Sequence, residues 1–413
     1  MNDDEVNPLF RWLAPLVAIV LAVALHSLMK PLVGEYGERI AIDCCIAVVL
    51  AVSLNIVNGY TGQFSIGHAA FYAIGGYTAA CVTYYAMLLF DSAHATENPL
   101  AYMMRSDVLF VFATLVGGVV AALAGWLVGL PSLRLRGDYL AVVTLGFGEI
   151  LRVLLQQTNK QLYTRDEVIQ AGVSGFFPPP VGGALGFINV PKHTTLFWAA
   201  LAAGVTLVFA WRLKKSTFGR SMIAIRENEI AAESMGVNVT RLKVWAFVFA
   251  AFFAGIAGSL YAHQPGQQLS PSDGGFVRSF DVIIMVVLGG LGSISGAVLA
   301  AILLTVANEW LRDPTPIWHF AGAILVVRLI AWPHRRARAT VWWVTMICLL
   351  EATRWAAHHF GFPLGEYRMI VYALALVLMM ILRPGGFFGI NEVTDLLQLR
   401  KKQPNEINKA AVT

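Results

Sequence analysis

Charged residues are scarce in this sequence. Only 13% of its 413 residues are Asp, Glu, Lys or Arg, whereas 57% are hydrophobic, and a soluble domain carries about a quarter charged residues. This deficit excludes an ordinary water-soluble globular protein. The basic residues, which leave a formal net charge of +5, cluster in a few loops between apolar stretches, and that pattern sets membrane orientation. We therefore expect no nucleic-acid partner.

Cysteines and catalytic motifs are also scarce. The few cysteines lie in apolar stretches, where free cysteine behaves as a small hydrophobic residue, so we expect neither disulfides nor a metal site. They are Cys44, Cys45, Cys81 and Cys348. No phosphate-binding loop of the G-x-x-x-x-G-K-[ST] type occurs, so any ATP would have to be bound and hydrolysed by another chain. Paired acids, histidine clusters and nucleophile elbows are absent from the apolar stretches, which argues against a membrane-embedded enzyme and a cofactor.

Long apolar runs are abundant. A helix needs roughly 20 mostly apolar residues to cross a bilayer, and about ten to twelve stretches approach that length. The candidate spans are residues 12–29, 40–57, 65–90, 108–130, 139–156, 195–211, 244–262, 280–310, 317–332, 340–351 and 368–382. The run 280–310 is too long for one helix, and its glycine-rich centre, 289–296, predicts a break into a short and a full segment. The sequence therefore predicts an all-α, polytopic transmembrane bundle, with 1–413 as one domain.

The loops set the expected orientation, because Lys and Arg in short loops stay on the cytoplasmic side. Loop 213–243 is rich in basic residues, whereas loop 263–279 carries only Arg278. We therefore place the first loop in the cytoplasm and the second outside. Alternation then puts residues 157–193 outside as the longest external loop and both termini in the cytoplasm. The first apolar run has an acidic start and no small-residue cleavage site, so we expect a retained span.

Two glycine-rich segments with polar residues open spans, namely 58–68 and 137–149. Non-helical backbone at membrane depth survives only where protein or a water-filled cavity surrounds it, so these segments are the candidate translocation pathway. Its predicted residues are Gly59, Gly62, Gln63, Ser65, Gly67, His68, Asp138, Thr144, Gly146, Gly148 and Glu149. Ionisable groups within spans are costly and face a bundle interior. The alternative is that Glu149 only pairs with Arg152, one turn away, and that His68 caps a helix.

A short surface helix is predicted within loop 213–243. Strong helix formers run from Arg226 to Gly236, and glycine suits the left-handed position that ends a helix. Glu229 and Glu233 lie one turn apart on one face. A helix of this kind between two spans can dock into a groove of a soluble partner, and an ordinary solvated loop helix is the alternative.

Together these segments resemble the permease subunits of branched-chain amino acid ABC transporters, the LivM and LivH family, and LivM more closely. The matching motifs are NGYTGQFSIGHAAFYAIGGY from Asn58, GDYLAVVTLGFGEILR from Gly137, GRSMIAIRENEIAAESMGVN from Gly219 and VVLGGLGSISGAVLAAILL from Val286. The resemblance implies a bacterial inner-membrane complex of two permeases, one of them LivH-like, two ABC ATPases and a periplasmic binding protein that delivers Leu, Ile or Val. It also implies a coupling segment that meets the ATPase, with Glu229, Ala231, Ala232, Glu233 and Gly236 on the matching positions.

Two departures from the family pattern stand out. The external loop has Gln170 to Gly175 followed by prolines where the family shows Thr-Gly-Gly-Pro-Asn-Gly. Residues 313–366 look like an insertion, which we interpret as an extra transmembrane hairpin with Arg335 and Arg336 in the cytoplasm. Two other functions stay open: a permease for urea or short-chain amides, and an ion-coupled secondary transporter that would use Glu149.

Overall fold

The structure is a computed structural model, and it describes residues 8–90, 99–132, 138–172 and 174–312. Within these ranges all regular secondary structure is helical, apart from an isolated bridge between Phe187 and Leu269. The helices are α1 (Pro8–Asn55), α2 (His68–Phe90), α3 (Pro99–Ser132), α4 (Asp138–Gln156), α5 (Arg165–Ala171), α6 (Leu196–Lys215), α7 (Thr217–Glu227), α8 (Glu229–Ser234), α9 (Val239–Ala262), α10 (Phe276–Gly289) and α11 (Ile294–Arg312). The predicted all-α class is confirmed. The predicted hairpin 313–366 and span 368–382 lie outside the described residues.

Several helices are suited to a membrane. In the described part of the chain, five segments are long and apolar enough to cross one: Gly34–Tyr60, Ser106–Leu130, Tyr139–Gln156, Leu196–Lys215 and Val239–Ala262. Shorter apolar segments run over Val17–Leu28 and Ile294–Glu309. α1 bends at Gly34, whose φ of 73° and ψ of -176° are not helical, and glycine tolerates that conformation because it lacks a β-carbon. The first two predicted spans are therefore consecutive parts of one bent element.

Close helix packing at glycines builds the centre of the bundle, where α2, α3 and α9 pack against one another. A β-carbon at Gly75 would overlap the backbone of Gly255, and one at Gly258 would overlap the carbonyl oxygen of Tyr72. Helices in lipid associate through such backbone approach, since water expulsion does not drive them together. The contact between α2 and α9 is therefore a close approach of the two helix backbones at glycines.

The break predicted within 280–310 is present. α10 ends at Gly289 and α11 begins at Ile294, and the turn between them contains Gly290 and Gly292 with φ of 104° and 89°. Residues with a β-carbon rarely adopt such positive φ angles, so glycine is required at both positions. Lys214 donates through Nζ to the Gly292 carbonyl oxygen at 2.8 Å, which places this turn at the same end of the bundle as the loop 213–243. We call this end the basic end.

The opposite end is covered by residues 157–195, which fold onto the bundle. Phe187 N donates to Leu269 O at 2.8 Å, and Lys192 Nζ donates to Gln267 O at 2.7 Å, so this segment is tied to the loop that follows α9. Within it, α5 starts with a capping box formed by Thr164 and Glu167. The backbone N–H groups of Tyr163 and Thr164 hold the pKa of the Glu167 carboxyl below its usual range. The predicted external loop is thus an ordered cap.

Candidate translocation and coupling site

The first glycine-rich segment leaves the helical ladder but stays inside protein. α1 ends in a π-helical turn, Ile56–Tyr60, and residues 61–67 are not helical. Side chains replace the missing ladder bonds: Ser65 N donates to Asn58 Oδ1 at 3.2 Å and Ile66 N to Thr144 Oγ1 at 3.0 Å. The predicted pathway residues Gln63 and Ser65 are buried. The segment therefore has the protein-enclosed, non-helical backbone that the sequence predicts.

The second glycine-rich segment forms part of α4 and packs against the first. A β-carbon at Gly67 would overlap the carbonyl of Thr144, and Gly148 lies beside the backbone of Gly67 and of Gly274. The aromatic rings of Phe71 and Phe147 lie 5.6 Å apart. Gly146, by contrast, has open space where a side chain would be, and Asp138 is the first residue of α4. The structure therefore brings Gly67, Thr144 and Gly148 together but leaves Gly146 apart.

His68 does not cap α2. It is the first residue of that helix, it is buried, and its Nε2 lies 2.9 Å from Ser53 Oγ on α1. The Ser53 hydroxyl also lies 2.9 Å from the Leu50 carbonyl oxygen, to which it donates its single proton, so Nε2 of His68 is the donor to Ser53. The capping alternative for His68 is wrong, and the side chain instead joins α2 to α1.

Glu149 is held by two donors. Its Oε2 accepts from Arg152 Nε at 2.7 Å, and its Oε1 accepts from Phe276 N at 3.0 Å. The pairing with Arg152 that was the alternative interpretation of Glu149 is therefore present. The second bond fastens α4 to the start of α10. A carboxylate engaged in this way gives no support to ion-coupled transport.

The predicted coupling segment contains a short helix, α8, but Arg226 and Glu227 belong to the preceding helix α7, so one continuous helix from Arg226 is not present. Asn228 separates α7 from α8, because its Oδ1 accepts from Ala231 N at 3.0 Å and so caps a new helix. Such side-chain bonds to the backbone compete with a continuing helix. α8 ends at Ser234, and Gly236 just after it has the left-handed φ of 83° expected of a glycine that ends a helix.

The five predicted coupling residues are not equivalent. Ala232 is buried against the bundle, and Glu229 Oε1 accepts from Lys243 Nζ of α9 at 2.8 Å. Ala231 and Glu233 are exposed. Two apolar neighbours are even more exposed: 71% of Ile230 and 84% of Met235. We use the name α8 face for the exposed surface formed by α8 and the residue after it, Met235. It consists of Ile230, Ala231, Glu233 and Met235.

Arg226 connects the loop 213–243 to residues 59–62 of the first glycine-rich segment and to the turn at Gly292, which we call the two glycine turns. The sequence did not reveal this role. From the end of α7, its Nη1 donates to the Gly59 carbonyl oxygen at 2.8 Å and its Nη2 to Glu227 Oε1 at 2.8 Å. A β-carbon at Gly62 would lie 2.8 Å from Arg226 Cγ, and one at Gly292 would lie 2.7 Å from its Nη1. Only glycine leaves room for the arginine at these two places.

Asn55 fastens the two glycine turns to each other. Its Oδ1 accepts from Gly292 N at 2.8 Å, and its Nδ2 donates to Ser293 O at 3.1 Å. We call Asn55, Gly59, Lys214, Arg226 and Gly292 the basic-end cluster. These hydrogen bonds join α1, α6, α7 and the turn before α11.

Two cavities differ in chemistry. A groove of about 680 Å³ near the basic end is lined mainly by apolar side chains of α6 and α9, among them Phe209, Trp245 and Phe249. A smaller cavity of about 170 Å³ lies between α1, α9, α10 and α11 and contains Asp43, Arg278, Asp281 and Glu309. In the described part of the chain, no three His, Cys, Asp or Glu side chains are grouped so as to hold a metal ion. Sequence reasoning placed Arg278 in a loop and overlooked the three acids.

Comparison with known proteins identifies related chains. Residues 37–332 match the family described as branched-chain amino acid transport system / permease component. The chain is 38% identical over 318 residues to the high-affinity branched-chain amino acid transport system permease protein LivM of Salmonella typhimurium, covering 71% of this chain and 68% of that protein. The LivM protein of Escherichia coli is likewise 38% identical over 318 residues, covering 71% and 67%. The probable LivM permease of Methanocaldococcus jannaschii is 23% identical over 276 residues, covering 63% and 76%. No solved structure matches the chain.

Proposed function

Because this chain belongs to the permease family of branched-chain amino acid transport systems, we propose that it is a membrane-spanning subunit of an ATP-driven importer for Leu, Ile or Val. The family match over residues 37–332 carries this proposal, since that range includes both glycine-rich segments, α7, α8 and the turn before α11. The chain itself performs no chemistry. ATP is bound and hydrolysed by partner chains.

The α8 face is the proposed contact with a cytoplasmic ATPase. Large exposed apolar residues in a short helix, such as Ile230 and Met235, suit docking into a groove of a soluble partner. Ala232 and Glu229 serve this contact indirectly, because they hold α8 against α9. In this orientation the basic end faces the cytoplasm, as the excess of Lys and Arg there favours, and the protein resides in the bacterial inner membrane with both termini inside.

The opposite end is the proposed contact with a periplasmic binding protein. Three apolar side chains stand out from the ordered cap formed by residues 157–195: Ile169 is 59% exposed, Phe177 88% and Leu185 77%. Hydrogen bonds from Phe187 N and Gln268 Nε2 tie the cap to the loop before α10. Docking on the cap therefore acts directly on the loop that leads into α10.

The proposed mechanism is alternating access. The two permeases of the complex, this chain and a LivH-like partner, enclose the path, and ATP binding to the ATPases favours one of two global states. Movement of α8 and α7 reaches the glycine turns through Arg226, while the cap transmits docking from the other side. Docking on the α8 face and docking on the cap both act on α10, because one end of this helix lies at the cap and the other at the basic-end cluster.

Reconstitution tests this function. The chain is co-expressed with its partner permease and ATPases, placed in liposomes, and supplied with the binding protein, ATP and radiolabelled leucine or urea. We expect ATP-dependent accumulation of leucine and none of urea. Leucine movement by the permeases without ATPases would contradict the proposal, and selective movement of urea would establish the alternative substrate. A reporter fused within loop 213–243 tests the orientation, and periplasmic activity of that reporter would refute it.

A further inference from the structure

The small cavity between α1, α9, α10 and α11 holds charges that do not pair with each other. Arg278 forms no salt bridge with any described residue, and its Nε is buried without a hydrogen-bond partner. Its guanidinium carbon lies 5.5 Å from the ring of Tyr72 and 5.6 Å from that of Tyr261. These aromatic faces stabilise the cation, and the Nε–H group is left without an acceptor among the described residues.

Carboxylates line the same cavity. Asp281, one turn along α10 from Arg278, forms no hydrogen bond or salt bridge with the described residues, although it interacts electrostatically with Arg278. Asp43 of α1 accepts a hydrogen bond from Gln264 Nε2 at 3.0 Å. Gln264 is fully buried and its Oε1 has no partner. The cavity therefore brings together the guanidinium of Arg278, whose Nε lacks a partner, and the carboxylate of Asp281, which has no hydrogen bond among the described residues.

Such an arrangement of charges favours a charged ligand. Buried charges are tolerated when they are paired and hydrogen-bonded, yet here a guanidinium and carboxylates face a common space without touching. A ligand with a negative and a positive group would pair with both. A metal ion would satisfy only the carboxylates, and their positions do not group around a common centre.

The remaining walls of the cavity are aliphatic. They are formed by Ile40, Ala47, Leu50, Val282, Met285 and Leu304. A volume of 170 Å³ equals that of about six water molecules at about 30 Å³ each, which is the scale of one small amino acid. A guanidinium, nearby carboxylates and an apolar wall together match an α-carboxylate, an α-ammonium and an aliphatic side chain.

We propose that this cavity is a binding site for a zwitterionic aliphatic amino acid within the permease. The carboxylate of the ligand binds Arg278, its ammonium group binds Asp281 with Asp43 nearby, and its side chain lies against the aliphatic wall. This assignment rests on the proposed function, since it identifies where the imported solute pauses. Asp281 lies eight residues before Gly289, or about 12 Å along α10 at about 1.5 Å per residue, so the same short helix connects the cavity with the basic-end cluster.

Ligand analogues on the wild-type protein give the first test. The purified permease–ATPase complex, without binding protein, is melted in the presence of leucine, 4-methylpentanoate or 3-methylbutylamine. The two analogues keep the aliphatic chain but lack the ammonium and the carboxylate group, respectively. We expect leucine to raise the melting temperature and neither analogue to do so, because a ligand that binds only the folded state stabilises it. Absence of a leucine effect, or an equal effect of either analogue, would overturn the proposal.

Charge-removing variants give the second test. Asp281→Asn and Arg278→Gln are compared with Glu35→Gln, which removes a charge from an exposed position of α1. We expect both cavity variants to lose the leucine-dependent melting shift and to lower ATP-driven leucine uptake at least tenfold, while Glu35→Gln keeps both. Cavity variants that assemble and retain wild-type uptake refute the site. If a variant does not assemble, the melting experiment with leucine and its two analogues on the wild-type complex decides whether the cavity binds an amino acid. Failure of the wild-type complex to move leucine contradicts the proposed function instead, and the melting experiment still decides the cavity.

Discussion

Replacing Arg226 by methionine tests whether this side chain connects α7 to the glycine turns. Methionine keeps an unbranched side chain that fits beside Gly62 but has no N–H group for the Gly59 carbonyl oxygen, which now accepts from Arg226 Nη1 at 2.8 Å. The bond is well shielded, since only 17% of the arginine side chain is exposed. The variant therefore removes the direct hydrogen bond between the loop 213–243 and the first glycine-rich segment.

The size of the effect follows from the chemistry of the lost bond. A hydrogen bond from a charged donor contributes about 1.5–3 kcal/mol. At about 1.4 kcal/mol per tenfold change, its loss alters the balance between coupled and uncoupled conformations by roughly 10- to 100-fold. We expect Arg226→Met to assemble with the ATPases and to hydrolyse ATP, and to move at least tenfold less leucine per ATP hydrolysed.

The assay measures leucine uptake and ATP hydrolysis in the same proteoliposomes. Arg220→Met is the matched control, because Arg220 lies on the same helix, carries the same charge and is exposed to solvent. Arg226→Lys retains the charge and a donor, so we expect an intermediate ratio. If Arg226→Met and Arg220→Met move equal amounts of leucine per ATP, Arg226 does not couple the loop to the turns.

Further predictions concern packing, the two docking surfaces and the cap. Gly258→Val forces α2 and α9 apart and should abolish the monodisperse peak in size-exclusion chromatography, whereas Gly146→Ala, which meets open space, should preserve it. Met235→Asp should release the ATPases from the purified complex while binding-protein contact persists. Leu185→Asp should abolish binding-protein contact while the ATPases stay bound. Loss of both contacts in either variant would argue against separate surfaces. Thr164→Ala removes the cap of α5, which costs about 1 kcal/mol, and should increase hydrogen exchange in that helix about fivefold with little change elsewhere.

Features that depend on neighbouring residues in the chain were predictable. The length of apolar runs located the five described segments that can cross a membrane, and the glycines of 289–296 predicted the turn between α10 and α11, because both signals are local. The split at Asn228 also had a local signal, since asparagine is a preferred residue at the start of a helix. That signal was outweighed by the helix-forming residues on both sides, which suggested one continuous helix.

The charged cavity was only partly accessible to sequence reasoning. The rule that ionisable residues inside spans indicate function was applied to Glu149 and His68, but it applied equally to Asp43 and Asp281. Neither Glu149 nor His68 lines the cavity: the first binds Arg152 and the second binds Ser53. Which charged residue faces a cavity depends on how helices pack, and no local pattern records that.

Contacts between distant parts of the chain could not be predicted. Arg226 and Gly59 are 167 positions apart, and Asn55 and Gly292 are 237 apart. The glycines indicated an unusual backbone at 59–67 and 289–296, yet their neighbours in space are set by the packing of α1, α7 and α10. Sequence therefore located the glycine-rich segments without showing what connects them.

The position of α10 explains why binding and coupling can be linked in one short element. The helix has only 14 residues, about 21 Å at about 1.5 Å per residue, and both ends are attached to other elements. Glu149 of α4 accepts a hydrogen bond from its first residue, and the turn after Gly289 contacts Arg226, Lys214 and Asn55. A helix held at its ends and intact between them tilts as a rigid body when one attachment changes. We therefore expect release of the basic-end contacts to displace Arg278 and Asp281 together relative to Asp43 of α1, and so to change the spacing of the charges around the cavity.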